Sequence, residues 1–149
     1  MSSTQSKCRE VLRAQHANLR KTIDVAKAAA LKALGQRGGA GELQTAVGSL
    51  QRELLAHLAD EEKLLSPILP KLDAWGPLRL ELLKAEHAHQ RAVLTLLTGH
   101  DAWPAPAGVA GRTLALCEDI LTDMTFEERE LLDEKVLRDD LILLDASDC

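Results

Sequence analysis

Aromatic side chains are almost missing from this sequence: one Phe, two Trp and no Tyr in 149 residues, 2% of the whole. No core can be built here around stacked rings. Hydrophobic residues still make up 46%, mainly Leu and Ala, so packing has to come from aliphatic seams of good helix formers and the expected fold class is all-α. Cysteine is scarce too. Cys8, Cys117 and Cys149 are odd in number, far apart and never in a C-x-x-C pair, which speaks against a disulfide frame or a thiolate zinc site. Reduced thiols are expected, with Cys117 in the core. Both signs of charge are interspersed around a formal net charge of -5, leaving no basic footprint for nucleic acid and no polybasic patch for a membrane. No apolar run approaches the roughly 20 residues that cross a bilayer. The opening MSSTQSKCRE is polar and lacks an apolar signal region, so a cytoplasmic protein is expected. A Gly-rich phosphate loop, a Ser elbow and a Cys/His pair at catalytic spacing are also missing, which removes support for nucleotide and hydrolase chemistry.

Two loop signals are present, GQRGGAG (Gly35 to Gly41) and GHDAWPAPAG (Gly99 to Gly108), with a third break at PKLDAWGP (Pro70 to Pro77). Pro70 is expected to stop one helix, and Pro77 can occupy the first turn of the next. Four helical segments remain, about 6–34, 42–69, 77–98 and 109–132. At this length one domain is expected, an up-down-up-down antiparallel four-helix bundle over residues 1–133 with a short C-terminal extension. The extension, 134–149, carries a Leu141 to Leu144 run too short to span a membrane. It can pack on the bundle or serve as a surface for a protein partner or self-association.

The seams of these helices hold the functional signal. On the second, steps of four and three join Leu43, Val47, Leu50, Leu54, His57, Glu61, Leu64 and Ile68, one inward face with an imidazole and a carboxylate at its centre. Burial of such groups costs several kcal/mol unless something pairs with them. The first helix has Leu12, His16, Leu19, Ile23, Ala26 and Ala30; the third has Leu80, Leu83, His87, then Gln90 or Arg91, then Leu94 and Leu97. On the fourth, Leu116, Ile120, Asp123, Glu127 and Leu131 share a face, but Cys117, Leu121, Met124 and Glu128 lie on the adjacent stripe, so Glu127 and Glu128 both remain candidates. Distances from the connecting loops put all of these polar groups at one height.

One inward histidine is most often a hydrogen-bonded core residue. Four helices each bringing polar groups to one level of an aliphatic interior is the composition of a non-haem metal site, whose ion offsets the burial. The competing interpretation is a structural network of His and carboxylate pairs, every member of which would have to be satisfied.

The ferritin-like di-iron plan takes its histidines from Glu-x-x-His motifs on two helices. The inward pair here is instead His-x-x-x-Glu, in HLADE, and two halves of the chain look alike: QHANLR beside EHAHQR, and HLADEEKLL beside DMTFEEREL. This pattern, from about Cys8 to Leu132, resembles the hemerythrin-like, or HHE, cation-binding family. The resemblance implies a four-helix bundle with a pair of irons, carboxylate- and oxo-bridged, or else one iron or another divalent metal. Residue by residue, it implies His16, His57, Glu61, His87 and Glu127 as ligands, Glu61 and Glu127 as bridges, and Asp123 as a sixth ligand. Two positions depart from the pattern. Asp123 stands where many members have a histidine, and Arg91 stands where oxygen carriers have a second histidine on the third helix. Arg91 is expected to pair with Asp123 and take the place of a metal charge. Exchanging imidazole for carboxylate favours ferric iron. The resemblance therefore implies oxygen, redox or iron sensing with a small ligand such as O2 at the metal, rather than oxygen transport, and a binding protein more than an enzyme, with oxygen or peroxide handling as a side activity. An alternative is a regulatory protein-interaction bundle whose metal site is partial or absent.

Other polar residues are expected elsewhere: His89 facing away from His87, His100 on a loop, Asp60 and Glu62 on a solvated face, and Trp75 and Trp103 capping the bundle ends.

Overall fold

In a computed structural model, which describes residues 4–35, 39–99 and 106–138, the helices are α1 (Thr4–Leu34), α2 (Ala40–Leu65), α3 (Gly76–Thr98) and α4 (Pro106–Glu130), with a 3-10 turn at Leu69–Lys71. The described residues contain no strand. α1 packs along α2 and α4, and α3 completes the ring against the same two helices. This is the up-down-up-down four-helix bundle that four long helices on short connections favour.

The seams face inward as their periods require. Leu12, His16, Leu19, Ile23, Ala26 and Ala30 of α1 are all fully buried, and so are Leu43, Leu50, Leu54 and Glu61 of α2. The expected second helix runs too far. α2 ends at Leu65: Ser66 still has helical backbone and donates to the Glu62 carbonyl at 2.9 Å, but Pro67 has no N–H to continue the ladder. Its seam accordingly closes on buried Leu65 rather than Leu64. The 3-10 turn then packs across the start of α3, where Gly76 has no room for a side chain: a Cβ there would lie 1.8 Å from the Leu69 carbonyl oxygen. Pro77 takes a place in the first turn of α3, as expected. Trp75 does not cap the bundle end; it is 66% exposed.

Beyond α4 the chain turns back, burying Leu131, Leu132 and Leu137. Two arginines of α1 hold it. Arg13 donates to the Leu132 carbonyl at 3.1 Å and to the Glu128 carbonyl at 2.9 Å, and Arg9 donates to the Leu137 carbonyl. The Glu128 carbonyl is one that the end of α4 leaves without a partner; those of Leu132 and Leu137 belong to the returning chain. Residues 139–149, with the Leu141 to Leu144 run and Cys149, lie outside the described residues, as do His100 and Trp103.

The apolar interior is divided into two clusters. One gathers Leu19, Ile23, Leu50, Leu54, Leu94, Leu116 and Ile120 among others; the other gathers Cys8, Leu12, Leu65, Leu69, Leu83, Leu131 and Leu137. Along each helix, His16, His57 with Glu61, His87, and Asp123 with Glu127 fall at the junction between the two. Cys117 is in the core, as expected, and Cys8 is buried too; burial pushes each thiol up to about 11, so both stay protonated and unreactive near neutral pH.

Candidate metal centre

The junction is a layer of nitrogen and oxygen donors. His16, Glu61 and His87 are fully buried, Gln90, Glu127 and His57 nearly so, and Asp123 is half-buried. Their atoms fall into two groups that share a member. His16, His57, Glu61 and Glu127 form one, and His87, Asp123 and Glu127 the other, with the donor atoms of each group within 4.8 Å of one another.

Each histidine is oriented by a partner on its outer side. His16 Nδ1 donates to Glu128 at 3.1 Å, and Glu128 is clamped by both guanidinium nitrogens of Arg20 at 2.7 and 2.8 Å. His87 Nδ1 donates to Glu62 at 2.9 Å, and Glu62 accepts from Arg91 at 2.8 Å. His57 Nδ1 donates to the Gln15 oxygen at 2.7 Å; the Gln15 amide nitrogen donates in turn to Asp60 at 2.9 Å, which fixes which end of the amide faces the imidazole. A carboxylate or amide oxygen can only accept, so Nδ1 carries a proton in all three rings and Nε2 is the inward atom, able to bind a cation or, without one, to take a second proton.

Those inward nitrogens meet carboxylates rather than donors. His16 Nε2 lies 3.2 Å from Glu127 Oε2, and His57 Nε2 and His87 Nε2 lie 3.1 and 3.5 Å from the same oxygen of Glu61. His16 Nε2, His87 Nε2, both oxygens of Glu61, Glu127 Oε2 and Gln90 Oε1 are buried without a hydrogen-bond partner. Acceptors facing acceptors in a buried layer require a proton or a cation between them. This donor set suits a first-row divalent ion, imidazole and carboxylate being borderline and hard ligands. A purely structural network would need a proton at each of these contacts.

The electrostatics agree. Burial disfavours a charge on Glu61, but His57 and His87 outweigh it and hold Glu61 well below the usual carboxylate range. Burial together with the charges of Glu61 and Asp123 pushes Glu127 up to about 12. Neighbouring carboxylates cannot both ionise unless a cation joins them. Burial and the neighbouring His57 lower His16; burial opposes charge on His87 as well, yet Glu61 and Glu62 raise it. Burial also raises Asp123.

All six expected residues are thus brought together at the layer, and Glu127, not Glu128, faces inward. Glu128 instead holds His16. Other expectations need correction. Arg91 does not pair with Asp123 or stand in for a metal charge: it is bound to Glu62, while Asp123 accepts from Gln90 at 2.9 Å. Position 90 is the inward one because it continues the step of three from His87. Glu62 is not simply solvated; it orients His87, and exposed Asp60 supports His57 through Gln15. Glu86 and His89 do stand at Glu-x-x-His spacing, but the His89 side chain is 56% exposed, 3.8 Å from Asp119. Sequence reasoning missed the outer partners. Their signal was there: an arginine follows His16 and His87 by one turn, and Glu61 and Glu127 are each followed by a second glutamate.

A four-helix bundle carrying inward imidazoles and carboxylates at one level defines a helical cation-binding domain. The chain belongs to the hemerythrin HHE cation-binding domain family, whose description matches residues 9–136. No curated protein and no solved structure matches it.

Proposed function

We propose that this protein holds a pair of iron ions in the layer and uses them to sense or bind oxygen or to follow redox state. His16 and His57 would serve one ion and His87 and Asp123 the other, with Glu127 and Glu61 between them. The observation that carries this reading is the shared carboxylate: Glu127 belongs to both donor groups and has a buried oxygen with no partner. Glu61 supports the same arrangement, since one of its oxygens faces histidines of α2 and α3 together.

Iron in such a site supplies one-electron chemistry and a position for a small ligand such as O2. The chain does the rest. Glu128 with Arg20, Glu62 with Arg91, and Gln15 with Asp60 fix the three imidazoles with Nε2 inward and make each a stronger donor. Three carboxylates against three neutral imidazoles favour the higher charge on the metal, so the state after oxidation is the stable one. A sensor fits this balance better than a reversible carrier.

The test is a cycle of reduction and aeration. Iron-loaded protein reduced under nitrogen and then exposed to air should develop near-ultraviolet charge-transfer bands that remain after the oxygen is swept out. Bands that vanish on deoxygenation would mark a carrier instead.

A further inference from the structure

Among the described residues, two clefts run from the surface toward the polar layer, and they differ in what lies at their inner ends. The one between α3 and α4 holds about 320 Å³, with walls of Leu82, Leu83, Phe126 and Leu131, and Asp123 and Glu127 among its lining. The one between α1 and α2 holds about 170 Å³ and reaches His57. We propose that the α3–α4 cleft is the route by which a divalent cation reaches the layer, drawn in by Glu86 and Glu130 and passing between Leu82 and Phe126. This rests on the metal-centre reading above.

The destination argues for it first. Glu127, in the lining of this cleft, is 2% exposed, and its Oε2, which faces His16 Nε2 at 3.2 Å, has no hydrogen-bond partner, so this cleft ends on a residue of the donor layer. The other cleft is lined by His57 together with Gln15, which already engages His57 Nδ1, and Asp60, which holds Gln15. Charge argues second. Glu86, Glu130, Asp123 and Glu127 line the α3–α4 cleft, and its one lining cation, Arg79, is engaged by both oxygens of Asp73 at 2.9 and 2.8 Å. Glu86 has no ion-pair partner among the described residues. Carboxylates outnumber the neutralised Arg79, with Glu86 the unpaired one and Glu130 also in contact with exposed Arg129 at 2.9 Å; a cleft of net negative charge between apolar walls concentrates the opposite ion and raises its rate of arrival, and it turns anions away. Size argues third. At roughly 30 Å³ per water, 320 Å³ takes about ten waters, enough for an ion arriving with an octahedral water shell. Leu82 is 61% and Phe126 51% exposed, so the way in is open at the surface.

The experiment mixes metal-free full-length protein with cobalt(II) and follows the growth of visible absorption. Removing the charges with Glu86→Gln plus Glu130→Gln should slow loading about tenfold at low salt, the lower end of what steering supplies, and the gap should close at high salt. Leu82→Trp, which plugs the cleft from an exposed position, should slow loading at every salt concentration. Ala56→Trp, which plugs the α1–α2 cleft instead, should not, and every variant should reach the stoichiometry of the parent. Full stoichiometry at unchanged rates in the α3–α4 variants, or a slowing confined to Ala56→Trp, would overturn the route while leaving the centre standing. Failure of the parent protein to bind cobalt at equilibrium would overturn the centre, and the route with it.

Discussion

Glu127 changes character with the contents of the layer. Without a cation it is protonated, held up to about 12 by burial and by Glu61 and Asp123; with one it must ionise to serve as a ligand. Metal loading near neutral pH should therefore release about one proton per chain from this group, measurable with a pH indicator in weak buffer. Glu127→Gln copies the protonated form, so in chelator its stability should stay within about 1 kcal/mol of the parent, whereas Glu61→Gln, which removes the charge set between His57 and His87, should cost about 2 kcal/mol or more. Urea denaturation separates the two. Farther out, Arg20→Ala and Arg91→Ala free the carboxylates that orient His16 and His87, and each should weaken metal affinity about 10- to 100-fold without changing the number of ions bound at saturation. A competition titration against a chelator reads this. The inward histidines and Glu61 were legible in the sequence because each breaks an aliphatic seam. Their outer partners were not, because Glu62 and Glu128 hold histidines on other helices, and only the packing of α2 on α3 and of α4 on α1 reveals the pairing.

The helix boundaries are set by local chemistry that a sequence shows only in part. Four helices could be read from their seams, with starts and ends within a few residues, because long periodic segments leave little choice. The apolar pattern runs past Pro67 to Ile68, so the seam alone carries α2 too far; the chain does bury Ile68, but on a turn rather than a helix. Nor could the sequence show that Gly76 lies against the Leu69 carbonyl, which is a tertiary contact. That contact predicts opposite outcomes for two glycines. Gly76→Ala should destabilise by about 1–3 kcal/mol, as forced overpacking does, whereas Gly48→Ala, inside α2 with its nearest neighbour the Arg52 guanidinium at 3.6 Å, should stabilise by about 0.5–1 kcal/mol. Thermal melts of the two variants check the pair.

Across the whole molecule the layer relates one half of the chain to the other. His16 with Arg20 on α1 corresponds to His87 with Arg91 on α3, and Glu61 with Glu62 on α2 corresponds to Glu127 with Glu128 on α4. The contacts repeat accordingly: an arginine, a glutamate and a histidine Nδ1 in series on both sides, and each of His16 and His87 facing the inner glutamate of the opposite half. The sequence repeats announced this symmetry, and the one clear break in it, His57 against Asp123, is where the two donor groups differ. Because buried acceptors separate the two halves of the core, the metal should act as a structural member. At a free concentration about a thousand times its dissociation constant it adds about 4 kcal/mol, so stripping it should lower the melting temperature by about 10 °C. The acid limb follows from the outer pairs. Arg91 holds Glu62, and Arg20 holds Glu128, below the ordinary value of 4.5, so their contribution to stability is complete above that pH and is lost as pH falls below it. A pH series of melts on metal-free protein should show the loss, and removing both arginines should flatten it.

The central claim is that six inward groups hold a pair of ions, and metal content per chain tests it most directly. Protein purified without chelator and saturated with iron should carry about two irons per chain, falling to about one in Asp123→Ala and losing its near-ultraviolet bands in His57→Ala. A parent protein that stays free of metal, and whose melting temperature ignores both iron and chelator, would contradict the account and leave the layer a structural network.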